Sequence, residues 1–209
     1  MKTLSNKTKR RLILISLACL LIAGGVAGTY AALTANATTT NIASTGTVTA
    51  AGEFFTLDNG KEAPYTSGMT TDIMPTQTVS RILRIRNTGT ENEYVRAAVT
   101  PSVKAASWQP AGTELENSLF ELLYNTADWT TVTGKNANGE TVEWHYYNKI
   151  LAPGDYTEPL FTGVSFSYQI DKQYIGAELT IEADVQGVQS AHNAPASGKA
   201  DDVTGWPTE

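Results

Sequence analysis

The sequence predicts an all-β fold, an antiparallel β-sandwich of jelly-roll-like character with one short helix. Three observations carry that expectation. Residues 177–185 put Ala177, Leu179, Ile181, Ala183 and Val185 on one face and Glu178, Thr180, Glu182 and Asp184 on the other. Residues 164–170 do the same with Val164, Phe166, Tyr168 and Ile170. Strict period-two alternation belongs to strands that pack on one face and meet water on the other. Asn, Gly and Pro signals punctuate many such runs, whereas a single stretch has a helical period, and that balance points to a sandwich.

The first thirty-two residues stand apart. Lys2, Lys7, Lys9, Arg10 and Arg11 precede an apolar run over 12–23, followed by Gly24, Gly25 and Gly28 and then Thr29-Tyr30-Ala31-Ala32. Basic, then apolar, then small is the order of a cleavable secretory signal. The run is shorter than the ~20 residues of an uninterrupted span. Cys19 lies inside it with Ser16 where a lipobox carries an aliphatic residue, so it reads as a small apolar residue of that run. Residues 33–50 are rich in Thr and poor in large apolar side chains, and read as an extended segment with a first strand over 42–50.

Residues 51–189 form the expected sandwich. Residues 53–57 read as a strand ending at the turn signal Asp58-Asn59-Gly60. Residues 79–86 and 94–100 alternate on either side of Asn87-Thr88-Gly89-Thr90 and predict a hairpin. In 113–124, Leu115, Leu119, Leu122 and Leu123 recur at i, i+4, i+7 and i+8, with Thr113 and Glu116 at capping-box spacing. These predict the helix. Residues 130–133 and 141–147 flank a loop containing Asn138-Gly139, a second hairpin. Pro153-Gly154 is placed as in a type II turn. Residues 190–209, rich in Ala, Gly, Pro and Asp, read as a flexible tail in which Trp206-Pro207 could dock locally.

Charge narrows the function classes. Residues 1–32 hold five of the fifteen basic residues and none of the twenty-one acidic ones, so the remainder carries a net charge of about −11. That argues against nucleic acid as a partner and against anionic membrane surfaces, leaving the membrane a role only during export. Without residues 1–32 the chain has no cysteine, so neither disulfide staples nor a thiol nucleophile is available.

The remaining chemistry is sparse. His145 and His192 lack the i, i+4 spacing that puts two imidazoles on one metal. His145, opposite Val142, Trp144 and Tyr146 on its strand, is expected to face solvent. No Gly-x-Ser-x-Gly and no Asp-x-Asp-x-Asp-Gly occurs. The acid pairs Glu91/Glu93, Glu114/Glu116, Glu182/Asp184 and Asp201/Asp202 have the spacing of calcium ligands or glycosidase carboxylates, but alternation already explains acids on an outer face. Trp108, Trp129, Trp144, Tyr146, Tyr147 and Tyr156 cluster in sequence. They read first as core and sheet packing, and second as a platform for stacking sugars. No catalytic, cofactor or metal site is expected from these residues.

Residues 24–34, Gly-Gly-Val-Ala-Gly-Thr-Tyr-Ala-Ala-Leu-Thr, resemble the processing region of the TasA/camelysin family. Asn41-Ile-Ala-Ser-Thr-Gly46-Thr-Val48 is similar to the element that follows it there. Ile85-Arg-Asn-Thr-Gly89 with Tyr94-Val-Arg96 resembles the family's strand, Asn-x-Gly, strand unit, and residues 177–189 its final core strand. The resemblance implies export, with cleavage by a SipW-type signal peptidase at Ala31, Ala32 and Leu33. It also implies a secreted or cell-surface structural protein with a jelly-roll-like fold and no catalytic role, forming fibres of a biofilm matrix. Assembly would proceed by donor-strand exchange, the segment 33–50 of one copy adding to an open sheet edge of the next, with Ile42, Gly46 and Val48 in the donor strand. A head-to-tail contact of that kind does not close on itself and propagates as a filament. A monomeric secreted surface- or glycan-binding module and a camelysin-type metallopeptidase are the other readings.

Overall fold

The computed structural model describes residues 37–40, 42–43, 47–66, 74–191 and 193–207. Among the described residues twelve strands make two five-stranded sheets and a small two-stranded one. They are β1 (Ala37–Thr40), β2 (Ile42–Ala43), β3 (Thr47–Val48), β4 (Ala50–Asp58), β5 (Lys61–Pro64) and β6 (Thr78–Asn87), followed by β7 (Glu93–Lys104), β8 (Phe120–Tyr124), β9 (Trp129–Lys135), β10 (Thr141–Tyr147), β11 (Phe161–Phe166) and β12 (Glu178–Gln189). The first sheet runs β1-β12-β7-β10-β9 and the second β5-β4-β6-β11-β8. Every pairing is antiparallel except that of β1 with β12, which is parallel.

The all-β sandwich expected from alternation is present. Leu179, Ile181, Ala183 and Val185 of β12 meet Leu83 and Ile85 of β6 and Phe161 and Val164 of β11 in one core between the sheets. β12 is the backbone of the first sheet, paired with β7 along its whole length from Glu178↔Lys104 to Gln189↔Glu93. Expected turns recur where left-handed φ is needed. Asn59 (φ 50°) and Gly60 (φ 78°) join β4 to β5, and Gly139 (φ 77°) closes the β9–β10 loop. Gly154 (φ 83°) follows Pro153 in a turn where the Asp155 N–H donates to the Ala152 carbonyl at 3.1 Å.

Four expectations are corrected. Residues 113–124 are not a helix. Asn117–Leu119 is a single 3-10 turn and Phe120–Tyr124 is β8, paired with β11. Over 120–124 the period is two, with Leu122 buried and Glu121 and Leu123 exposed. A twelve-residue helix is marginal alone, while the open edge of β11 supplies backbone partners. Thr113 spends its hydroxyl on the Pro110 carbonyl (2.8 Å) rather than on a helix cap.

Residues 79–86 and 94–100 do not form a hairpin either, because β6 lies in the second sheet and β7 in the first. Asn87 is the reason. It is fully buried, its Nδ2 donates to the Glu91 and Leu151 carbonyls, and its Oδ1 accepts from the Gly89 N–H. Glu93 then exchanges two backbone hydrogen bonds with Leu151. These bonds satisfy an arch between sheets instead of a tight reversal.

The first strand, expected unbroken over 42–50, is divided. β2 folds back on β3, with Ile42 opposite Val48, and β4 starts afresh at Ala50. The strand expected over 164–170 instead begins at Phe161 and ends at Phe166, leaving Tyr168 three-quarters exposed. It is bulged at Gly163, where a Cβ would sit 2.9 Å from the Val79 carbonyl oxygen, so a side chain there would break the pairing with β6.

Candidate functional site at the β12 edge

Both terminal segments of the described chain close on the first sheet, one along an edge and one across a face. Along the edge, β1 lies parallel to β12 in the register Ala37↔Ala183 to Thr40↔Gln186. β12 would otherwise present unpaired backbone N–H and C=O groups there, the feature that invites another strand. β2 pairs with β3, whose Val48 is buried.

Beneath Val48 lies an unexpected residue. Glu93, at the start of β7, is fully buried on the inner face, and neither carboxylate oxygen has a hydrogen-bond partner. A Cβ built on Gly187 of β12 would lie 2.6 Å from Glu93 Oε2 and 3.4 Å from Val48 Cγ1. Gly187 is therefore the space in which the carboxyl and the valine meet. Burial alone pushes the Glu93 carboxyl up to about 8. A surface cleft of about 270 Å³ opens nearby, lined by Glu91, Asn92, Pro153, Gln189 and Ser190 among others.

Across the outer face, the C-terminal segment covers β10 and β7. Arg96 is buried there. Its Nε and Nη2 donate to Gln186 Oε1 at 2.9 and 2.8 Å, and its Nη1 donates to the Tyr146 hydroxyl at 3.1 Å. The guanidinium stacks 4.0 Å from the Trp144 ring centre and 4.7 Å from that of Trp206. Trp206 stands edge-on to Tyr146 and donates to the Val203 carbonyl at 2.8 Å. Ala200 and Val203 are buried with it. The tail expected to be flexible is thus laid on the sheet, because period-two alternation leaves Trp144 and Tyr146 bare on the outer face until something apolar covers them. Gly134 makes room for the indole, since a Cβ there would come within 2.9 Å of Trp144 Cδ1.

His145, expected to face solvent, is buried on the inner face. It stacks at 4.4 Å on Tyr124 of the opposite sheet, and its Nδ1 hydrogen-bonds the Thr131 hydroxyl at 2.9 Å. Burial holds its pKa below the usual imidazole value, partly opposed by Glu143. The solvent-facing assignment took Val142, Trp144 and Tyr146 for the core side of β10, but that side is the outer face.

Two of the acid pairs separate in the same way, whereas Glu114, Glu116, Asp201 and Asp202 are all exposed. Glu93 is buried while Glu91 is half-buried, and Glu182 is exposed while Asp184 is half-buried beside Gln186. Among the described residues no three His, Cys, Asp or Glu side chains converge as a metal site would require. Of the six aromatics, Trp129, Trp144, Tyr146 and Tyr147 are buried, whereas Trp108 and Tyr156 are exposed among unrelated neighbours. Ile42 is placed by its backbone alone. Ala31, Ala32, Leu33, Gly46 and His192 lie outside the described residues.

Arg96, Gln186 and Glu93 were not singled out for these roles by sequence reasoning. The signal for Arg96 was there, since a basic residue in the middle of an alternating strand needs a partner. No family model, curated protein or solved structure matches the chain.

Proposed function

We propose that the chain is an exported, non-enzymatic structural subunit of the TasA/camelysin kind. A SipW-type peptidase frees it between Ala32 and Leu33, and it assembles outside the cell into filaments of an extracellular matrix by exchange of its N-terminal strand. One observation supports this most. The edge of the long central strand β12 is sealed by the chain's own N-terminal residues Ala37–Thr40, through backbone pairing and in parallel register. A strand held by main-chain hydrogen bonds at a chain terminus can leave its own edge and occupy the same edge of a second copy without rethreading the core. The bonds lost in one subunit are regained in the next, so the exchange is close to neutral in hydrogen bonding and is driven by concentration.

The expected result is filaments by electron microscopy from protein beginning at Leu33. All the described structure falls in the compact unit Ala32–Glu209, so that chain retains the whole sandwich. Deleting residues 33–43, which spares Val48, should leave soluble monomers. Normal polymerisation of the deletion variant would overturn the assembly reading.

A further inference from the structure

We propose that Glu93 is a proton-operated latch for the N-terminal segment. As a neutral acid it lies dry against Gly187 and Val48 and lets the segment seat on β12. Ionised, it draws water into that contact and the segment lifts. The inference rests on the assembly reading only for its biological use, because the latch is a property of the single chain.

Three features of the structure carry it. Position is the first. Gly187 follows directly on Gln186, the residue at which the β1 pairing ends opposite Thr40, so the carboxyl sits where the N-terminal segment leaves the β12 edge. Isolation is the second. Both carboxylate oxygens are buried without a partner, and a buried ion without a partner is far more costly than a buried neutral acid. The third is the chemistry of the segment itself. Residues 33–50 contain no acidic, basic, histidine, tyrosine or cysteine side chain. Whether the strand comes from the same chain or from a neighbour, its side chains bring no charge to neutralise a carboxylate, and the new α-amino group at Leu33 lies at the other end of the segment from Thr40, which pairs beside Gly187. The site therefore accepts the segment with Glu93 holding its proton.

Among the described residues nothing else around Glu93 supplies a countercharge. Beside it lie Gly187 and, directly opposite, Gln189 of β12 and the backbone of Leu151, with Val48 of β3 on the other side of Gly187. Arg96 on β7 and Glu182 and Asp184 on β12 stand on the opposite face of the sheet by strand parity. Arg86 is exposed over the ring of Tyr156, and neither it nor Glu91 contributes to the raised pKa, which comes from burial. The sign follows. Below about pH 4.5 the carboxyl is neutral whether the segment is seated or free. Between there and about 8 the free state favours loss of the proton and the seated state opposes it. Seating therefore weakens as pH rises through that window and is weakest above about 8.

Hydrogen–deuterium exchange of the protein beginning at Leu33, held monomeric by dilution, tests this. The rates are corrected for the intrinsic pH dependence of exchange. Protection of peptides covering residues 37–48 should fall at least tenfold between about pH 6 and about pH 9, while that of β6 and β11 stays constant. In Glu93→Gln the 37–48 protection should be high and independent of pH. Glu93→Met, of similar volume and uncharged, serves if the amide variant does not fold. A flat wild-type profile, or the same fall in either folded variant, overturns the latch. Electron microscopy of the same protein, undiluted and over the same pH range, keeps the two readings apart. A pH-dependent profile without filaments at any pH sinks the assembly reading and spares the latch, whereas filaments with a flat profile do the reverse.

Discussion

The two terminal segments cover the same sheet by opposite means. The C-terminal one is held by a saturated polar network, in which Arg96 stacks on Trp144 and Trp206 and its donors meet Gln186 and Tyr146. The N-terminal one is held by backbone pairing and by Val48, above a carboxyl that has no partner at all. A satisfied buried network specifies one arrangement, while an unsatisfied buried group lowers the cost of leaving it. The contrast assigns the two segments different duties: the C-terminal segment stays, and the N-terminal segment can go.

The largest expected effect falls on the network that stays. Arg96→Ala removes the stacked cation and leaves the Gln186 carbonyl oxygen and the Tyr146 hydroxyl buried without their donor. The loss should be about 3–4 kcal/mol, read as a lowered urea midpoint with unchanged slope. Hydrogen exchange over residues 199–207 should rise strongly while that over 37–48 rises less. Equal loosening of both segments would break the contrast, because it would make them one cooperative unit.

Glu93→Gln sharpens the other side. A carboxyl that ionises near 4.5 in the unfolded chain and near 8 in the fold costs about 1.4 kcal/mol for each pH unit between those values. The glutamine does not titrate, though it still buries an amide. Its variant should match the wild type in stability at about pH 5 and exceed it by roughly 3–4 kcal/mol at about pH 8. Denaturant titrations at the two pH values measure the difference, and a constant offset between the proteins would show that Glu93 is not neutral in the fold.

Much of this architecture was legible in the sequence, and its failures have physical causes. β12 could be read because residues 178–185 alternate without a break, and all twelve of its residues pair with one neighbour, β7. The hairpin turns could be read because Asn59, Gly60 and Gly139 take conformations few residues accept. Asn87 misled because its dipeptide chemistry is that of a turn, while its partner Leu151 lies sixty-four residues away and makes the turn an arch. Residues 113–124 misled because four leucines at helical spacing are also compatible with a turn followed by a five-residue edge strand, and the choice is made by β11. The site was harder still. Glu93 reads as one of two alternating acids until the strand's inner face is known. The outer-face aromatics read as core until the tail is seen to be their cover. Both require knowing which side of a sheet is inside, and alternation alone gives a parity without a sign.

That missing sign also decides the smallest effect. β10 puts Trp144 and Tyr146 outward and His145 inward, against Tyr124. Burial holds the His145 pKa below 6.5, so the folded state disfavours the imidazolium. Its contribution is complete above about 6.5 and is lost as pH falls through the lowered folded value, the reverse of Glu93. Toward acid, the loss at His145 therefore works against the gain at Glu93, while toward alkali Glu93 alone lowers stability. His145→Phe retains a ring against Tyr124 and forgoes the hydrogen bond to Thr131, at a cost of about 1 kcal/mol near neutral pH. It should also flatten the acid limb below about pH 6 while leaving the alkaline limb in place. An unchanged acid limb in that variant would mean that His145 titrates no differently in the fold than in the free chain, and the carboxylates elsewhere in the sandwich would then have to account for the acid side.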